Sequence, residues 1–175
     1  DGNPSLISFD DVTTMFHEFG HTLHGLFANQ QYESLSGTAV PRDFVEFPSQ
    51  INEHAALDPT VLKNYAIHYK TKQAIPQELI DKIKKADTFN KGYVVTELLA
   101  AATLDMAWHN VEKESDFKPT LEFEKEALTK YGLLVNDVPT RYHSPYFAHI
   151  WGGGYSAGYY AYTWSKNLVF ILFAG

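Results

Sequence analysis

Val12, Met15, Phe16, Phe19, Leu23, Leu26 and Phe27 recur at the spacing of one helix face, and three polar residues, His17, Glu18 and His21, stand inside that run. No other feature restricts the chain as much. The periodicity predicts a helix from about Asp10 to about Ala28, with Ser8 or Asp10 as N-cap. On an otherwise apolar helix His17, Glu18 and His21 are expected to be partly buried, and buried polar groups need partners. Residues at i and i+4 project from one face, about 5–6 Å apart at Cβ. Two imidazoles placed so can meet one divalent ion at about 2.0–2.1 Å each. Glu18, beside the first imidazole, points to the side of the pair, where it can reach a water on the ion without being a ligand.

His17-Glu18-Phe19-Gly20-His21 is thus an H-E-x-x-H pattern in a helical setting. The chain has no cysteine, so a zinc site must be built from His, Asp or Glu. Zinc lowers the pKa of a bound water towards ~7, and a neighbouring carboxylate can take its proton and pass it on to a leaving amine. The third ligand has to come from elsewhere. His24, three residues after His21, lies close to the same face but would have trouble completing a tetrahedron from the same helix. Glu46 and Glu53 are better placed. They are seven apart on a second predicted helix, from about Asp43 to Ala56, and share a face. One could ligate while the other orients a histidine. Phe44, Phe47 and Ile51 suggest that this helix packs close to the first.

Beyond these two helices the pattern stays helical. Asp58-Pro59 predicts a helix to about residue 71, Pro76 a short one to about Ala86, Asn90 to Lys113 a long one around Ala100-Ala101-Ala102, and Pro119 one ending at Gly132. Residues 29–42 and 140–155 read as loop, and helix resumes from Tyr155. No strand periodicity or internal repeat is evident. The expected fold is mainly α, a single helical unit of 175 residues.

The formal charge is −7, from 14 basic and 21 acidic residues, with Lys84-Lys85 the only basic doublet, which argues against nucleic acid as a partner. The apolar run from Leu168 to Gly175 is far shorter than the roughly 20 residues needed to span a bilayer and reads as a core helix separated from its partners. With no initiator Met at Asp1, the chain is expected to be a piece of a larger protein.

Gly152-Gly153-Gly154 and the tyrosines after it form a further cluster. Glycines allow positive φ and close approach to a peptide backbone. A phenol O–H beside a reacting carbonyl can stabilise an oxyanion. Tyr160 and Trp164 read more simply as packing residues on a buried face.

HEFGHTLHGLF, SGTAVPRDFVEFPSQINEH and SPYFAHIWGGGYSAGYYAYTWSK, in that order from about Leu6 to Lys166, resemble the thimet oligopeptidase family of zinc peptidases, and within it the peptidyl-dipeptidase branch. The resemblance implies a helical zincin-type catalytic core, a fragment of a larger two-lobed helical peptidase. It implies one Zn2+ per chain on His17, His21 and Glu46, not Glu53, with Glu18 as general base. It implies that the Gly-rich segment is a mobile loop over the cleft. His149 and Tyr155 match substrate-handling residues there, and Tyr162 matches the tyrosine that helps stabilise the transition state. Tyr159, Gly153 and Gly154 are further substrate-side candidates. The expected layout is a zinc site at 10–56, a helical part at 57–138 and the Gly/Tyr-rich loop and helix at 139–166. Short peptides are the implied partners. With no signal-like segment in the sequence, a cytoplasmic location is expected, and the parent is expected to be a monomer that binds neither nucleic acid nor membrane. Release of C-terminal dipeptides is the expected activity, with internal cleavage, or a non-catalytic zinc-binding fragment, as the alternatives.

Overall fold

Two helices begin at side-chain caps that the sequence supplies. Ser8 and Asp11 form a reciprocal capping box: the Asp11 N–H donates to Ser8 Oγ at 3.1 Å, and the Ser8 N–H donates to Asp11 Oδ2 at 3.0 Å. Asp58 caps the third helix by accepting from the N–H groups of Thr60 and Val61, with Pro59 at its first position. The computed structural model describes residues 4–174. Its helices are α1 (Phe9–Leu26), α2 (Arg42–Glu53), α3 (Pro59–Tyr65), α4 (Gln77–Phe89), α5 (Lys91–His109), α6 (Thr120–Lys130), α7 (Ala148–Trp151) and α8 (Ala161–Ala174). Among the described residues extended pairing is confined to two isolated bridges, Ile67 with Ala74 and Val135 with Val138. The fold is mainly α. No described helix is long and apolar enough to cross a membrane.

The chain divides into two compact units. One comprises the residues up to Phe89 together with those from Ser165; the other runs from Asn90 to Trp164. In the first, α1 packs along α2. Gly20 makes this possible, because a β-carbon there would lie 2.5 Å from Ser49 Cα and 3.1 Å from the Pro48 carbonyl. Asn52 Nδ2 donates across the same seam to the Phe16 carbonyl at 2.6 Å. Ser165 Oγ donates to the Asp43 carbonyl of α2, and the Phe173 ring lies 4.5 Å from the ring of His54 in the turn that follows α2.

In the second unit α5 is the axis. Ala100 and Leu104 pack with Ala127 and Leu128 of α6, while Ala101 and Ala102 pack with Phe147, Ile150 and Tyr159. The alanine run that favours helix therefore also lets neighbours approach from two sides. At the end of α6 the Leu133 N–H donates to the Leu128 carbonyl and the Gly132 N–H to Thr129, the double closure of a left-handed cap.

Four expectations need correction. The third helix stops at Tyr65 and not near residue 71. His68 and Gln73 instead close a turn with Lys72 at φ +59, bridged by Ile67 and Ala74. The long helix ends at His109, short of Lys113, where the Asn110 and Val111 N–H groups bond back in tight turns. The segment read as irregular contains α7, and helix resumes at Ala161, not Tyr155, because residues 155–160 form consecutive turns. Tyr160 and Trp164 are exposed, whereas Tyr159 is the buried ring of that stretch, at 3 % exposure. For Tyr160 helical periodicity fails because residues 156–160 are turns; Trp164 lies within α8, on its exposed side.

Candidate active site

The approach of α1 to α2 brings three donor atoms together. Glu46 Oε2 lies 3.1 Å from His17 Nε2 and 3.2 Å from His21 Nε2. The imidazole rings are 4.9 Å apart and nearly perpendicular, so their Nε2 atoms turn towards a common point. His17, His21 and Glu46 form a group that could hold a metal ion. Donors bonded tetrahedrally to zinc at about 2.0–2.1 Å stand roughly 3.3 Å from one another, close to the two carboxylate–imidazole separations here. Two imidazoles and a carboxylate are also a donor set that zinc accepts without thiolate.

Electrostatics favours a cation at the same place. Glu46 is 1 % exposed, and a buried carboxylate needs a positive partner. Ser49 Oγ lies 2.9 Å from the Glu46 carbonyl and 3.2 Å from Oε2, which keeps the carboxylate oriented. Glu53, two helical turns further on, reaches the other nitrogen of His17: Nδ1 to Oε1 is 2.6 Å. Burial of the ring opposes a charge on His17, but hydrogen bonds and charge from Glu46 and Glu53 outweigh it, and its pKa is pushed up to about 9. His21 has no such second carboxylate, and its Nδ1 is buried without a hydrogen-bond partner. His24 lies outside the cluster, its pKa lowered by burial and by its neighbour His21. Glu18 is exposed, contrary to the expectation of partial burial, because the helix face beside the imidazole pair is open.

The second unit gathers the remaining candidates around α7. The His149 ring lies 6.0 Å from Tyr155, 5.5 Å from Tyr159 and 6.2 Å from Tyr162. Tyr155 and Tyr162 stack at 5.3 Å, and Tyr159 and Tyr162 are 5.1 Å apart. Tyr159 belongs to the core, and burial raises its phenol pKa. Gly153 folds back on α7 so tightly that a β-carbon would lie 2.8 Å from His149 Cα, and Gly154 follows at φ +79. The two groups of candidates thus fall in different units, His17, Glu18, His21 and Glu46 in one and His149, Gly153, Gly154, Tyr155, Tyr159 and Tyr162 in the other.

Several supporting residues escaped the sequence reading. Buried Glu124 on α6 accepts from the Ser144 N–H at 2.6 Å and binds His143 Nδ1 at 2.7 Å; Ser144 in turn accepts from the indoles of Trp108 and Trp151. This network fixes the entry to α7. Nothing distinguishes Glu124 from its neighbours in TLEFEKEALTK. Asp105 is different: it is a lone acid in the apolar stretch LLAAATLDMAW, and burial of that helix made it conspicuous. Gly20 was legible only as a spacer between the histidines.

A mainly helical frame in which an H-E-x-x-H helix meets a carboxylate from its neighbour is a donor arrangement of the metallopeptidase class. Comparison with known proteins gives the family: residues 1–174 match peptidase family M3, and the chain belongs to it. The match runs beyond Lys166, where the motifs carrying the resemblance ended. The chain is 57 % identical over 168 residues to the dipeptidyl carboxypeptidase of Salmonella typhimurium, covering 96 % of this chain and 25 % of that protein. It is 56 % identical over 167 residues to the dipeptidyl carboxypeptidase of Escherichia coli, covering 95 % and 24 %. Oligopeptidase A of Escherichia coli is 35 % identical over 172 residues, covering 95 % and 25 %. The chain thus spans about a quarter of the length of the curated relatives it matches.

Proposed function

We propose that this chain forms the metal-binding and substrate-handling part of a zinc peptidase that releases dipeptides from the free C-terminus of short peptides. The observation that carries the reading is the convergence of His17 Nε2, His21 Nε2 and Glu46 Oε2 on one point beside an exposed Glu18. In this reading His17, His21 and Glu46 hold one Zn2+. Zinc held there would supply Lewis acidity, lowering the pKa of water towards ~7 and polarising a carbonyl. Glu18 takes the proton of the attacking water and hands it to the leaving amine. Glu53, through its 2.6 Å contact with Nδ1, keeps the His17 ring oriented and its Nε2 basic.

The α7 segment handles the peptide. His149 and Tyr155 bind the substrate, and Gly153 and Gly154 let its backbone approach closely. The Tyr162 hydroxyl donates to the developing oxyanion, a contribution of roughly 3 kcal/mol where such donors have been removed. Tyr159 backs Tyr162 and His149 from the core, and the substrate-facing surface falls to its neighbours. Dipeptide release is supported by the greater identity to dipeptidyl carboxypeptidases than to oligopeptidase A.

Mass spectrometry of two peptides tests the proposal, one N-acetylated with a free C-terminus and one C-terminally amidated. The protein at its full natural length should release a dipeptide from the first, lose that activity to a chelator, and leave the second intact. Internal cleavage of the amidated peptide would replace dipeptide release with oligopeptidase action. No chelator-sensitive cleavage of either would overturn the peptidase reading.

A further inference from the structure

Asp105 is fully buried in α5, and three groups converge on it. The Ala157 N–H donates to Oδ1 at 2.9 Å and the Tyr159 N–H to Oδ2 at 2.8 Å. His109 Nδ1, one turn along the same helix, lies 2.9 Å from Oδ1. A carboxylate with no exposure persists only where charge and hydrogen bonds compensate its desolvation, and this one is compensated chiefly by backbone of the segment that carries the tyrosines. Ala157 itself is at φ +52, a left-handed conformation that a residue with a β-carbon keeps only when its surroundings hold it there.

The two N–H groups lie between Tyr155 and Tyr162. On the near side the segment is tied to α7, with the Tyr155 N–H on the His149 carbonyl and Ser156 Oγ on the Ile150 carbonyl. On the far side the turns at residues 157–160 lead into α8, whose first turn carries Tyr162. Asp105 thus clamps the one stretch of chain that fixes the register of Tyr162 relative to Tyr155 and His149.

We propose that Asp105 is a positioning residue: its carboxylate sets the backbone of residues 157–159 and, through it, the place of the Tyr162 hydroxyl. This rests on the reading of Tyr162 as the oxyanion donor. Asparagine at 105 would present one acceptor and one amide donor to two backbone N–H groups, so one contact becomes repulsive and the turn must shift.

The test compares Asp105→Asn, Tyr162→Phe and the double variant in the protein at its full natural length, well below each melting temperature, with rates expressed per bound zinc. Asp105→Asn should lower kcat roughly tenfold to a hundredfold, the scale of an ångström-sized misplacement. KM should change by less than about threefold, because ground-state binding is not what the clamp serves. The double variant should be no more than about threefold slower than the slower single variant, since both lose the same hydroxyl contact. Unchanged kcat in Asp105→Asn, or losses that multiply in the double variant, would overturn the inference. Tyr162→Phe turning over as fast as the parent would instead remove the reading beneath it, a separately recognisable result. If Asp105→Asn does not fold, Asp105→Glu, which keeps the charge and moves the oxygens by one bond, carries the same comparison. Failure of both to fold would make Asp105 a folding residue and end the proposal.

Discussion

Gly20 and Ser49 meet backbone to backbone: a β-carbon on Gly20 would stand 2.5 Å from Ser49 Cα, a distance at which one helix must move away from the other. The seam they share is the one that carries Glu46 to the imidazole pair. Gly20→Ala should therefore destabilise the protein by about 1–3 kcal/mol through overpacking, despite alanine's better helix propensity. It should also weaken zinc binding. Gly25 on the same helix is the control, since a β-carbon there meets nothing within 4 Å. Gly25→Ala should be neutral or stabilising by up to about 1 kcal/mol. Urea unfolding and zinc content of the two variants check this, and equal effects would contradict it.

Glu53 binds the nitrogen of His17 that faces away from the Glu46 carboxylate. Removing it in Glu53→Ala should reduce zinc affinity roughly tenfold to a hundredfold, the range seen when the outer partner of a metal-binding histidine is lost. Glu53→Gln should fall between, because an amide oxygen still accepts from Nδ1. Competition with a chromophoric chelator gives the affinities. An unaltered value in Glu53→Ala would mean that the 2.6 Å contact does not orient the ring.

Glu18 and Glu46 should fail differently. Glu18 is exposed and outside the three-donor group, so Glu18→Gln should keep zinc while kcat drops by about 10²–10⁴, the usual worth of general acid–base catalysis. Glu46→Gln should lose zinc itself. Metal analysis alongside single-turnover rates separates the two, and a Glu18→Gln protein that turned over normally would exclude this residue as the base.

How much of this was legible beforehand depended on whether local rules governed the element. Helix α1 was legible because its cap, apolar stripe and polar insertions all agree, and α2 because Glu46 and Glu53 share a face whatever the exact start. Choosing between those two from residues alone was not possible, since a spacing of seven puts both carboxylates towards α1. Distances separate them: Glu46 Oε2 is within 3.2 Å of both Nε2 atoms, while Glu53 reaches Nδ1 of His17. The stretch from Tyr155 to Tyr160 was misread because a helical period was applied to turns. Their shape depends on Asp105, some fifty residues away, and no local pattern carries that information.

Glu124 makes a prediction about acid. Burial opposes its charge, but hydrogen bonds from His143 and Ser144 outweigh that cost and hold its pKa below the ordinary carboxylate value. A carboxyl whose folded pKa is depressed contributes stability that is complete above its unfolded value, about 4.3, and is lost as pH falls through the folded value. At neutral pH Glu124→Gln should cost about 1–3 kcal/mol, because the buried Ser144 N–H and His143 exchange a charged acceptor for a neutral one. The difference from the parent should shrink once the pH drops below the ordinary carboxylate range. Trp108 is a suitable fluorescent probe, since its ring stacks on Phe123 at 3.7 Å and its indole N–H donates to Ser144 Oγ at 2.7 Å. Denaturant titrations of both proteins across the acid range decide the matter. A stability gap that stayed constant from neutrality to strongly acidic pH would show that the Glu124 charge contributes nothing to holding the entry of α7.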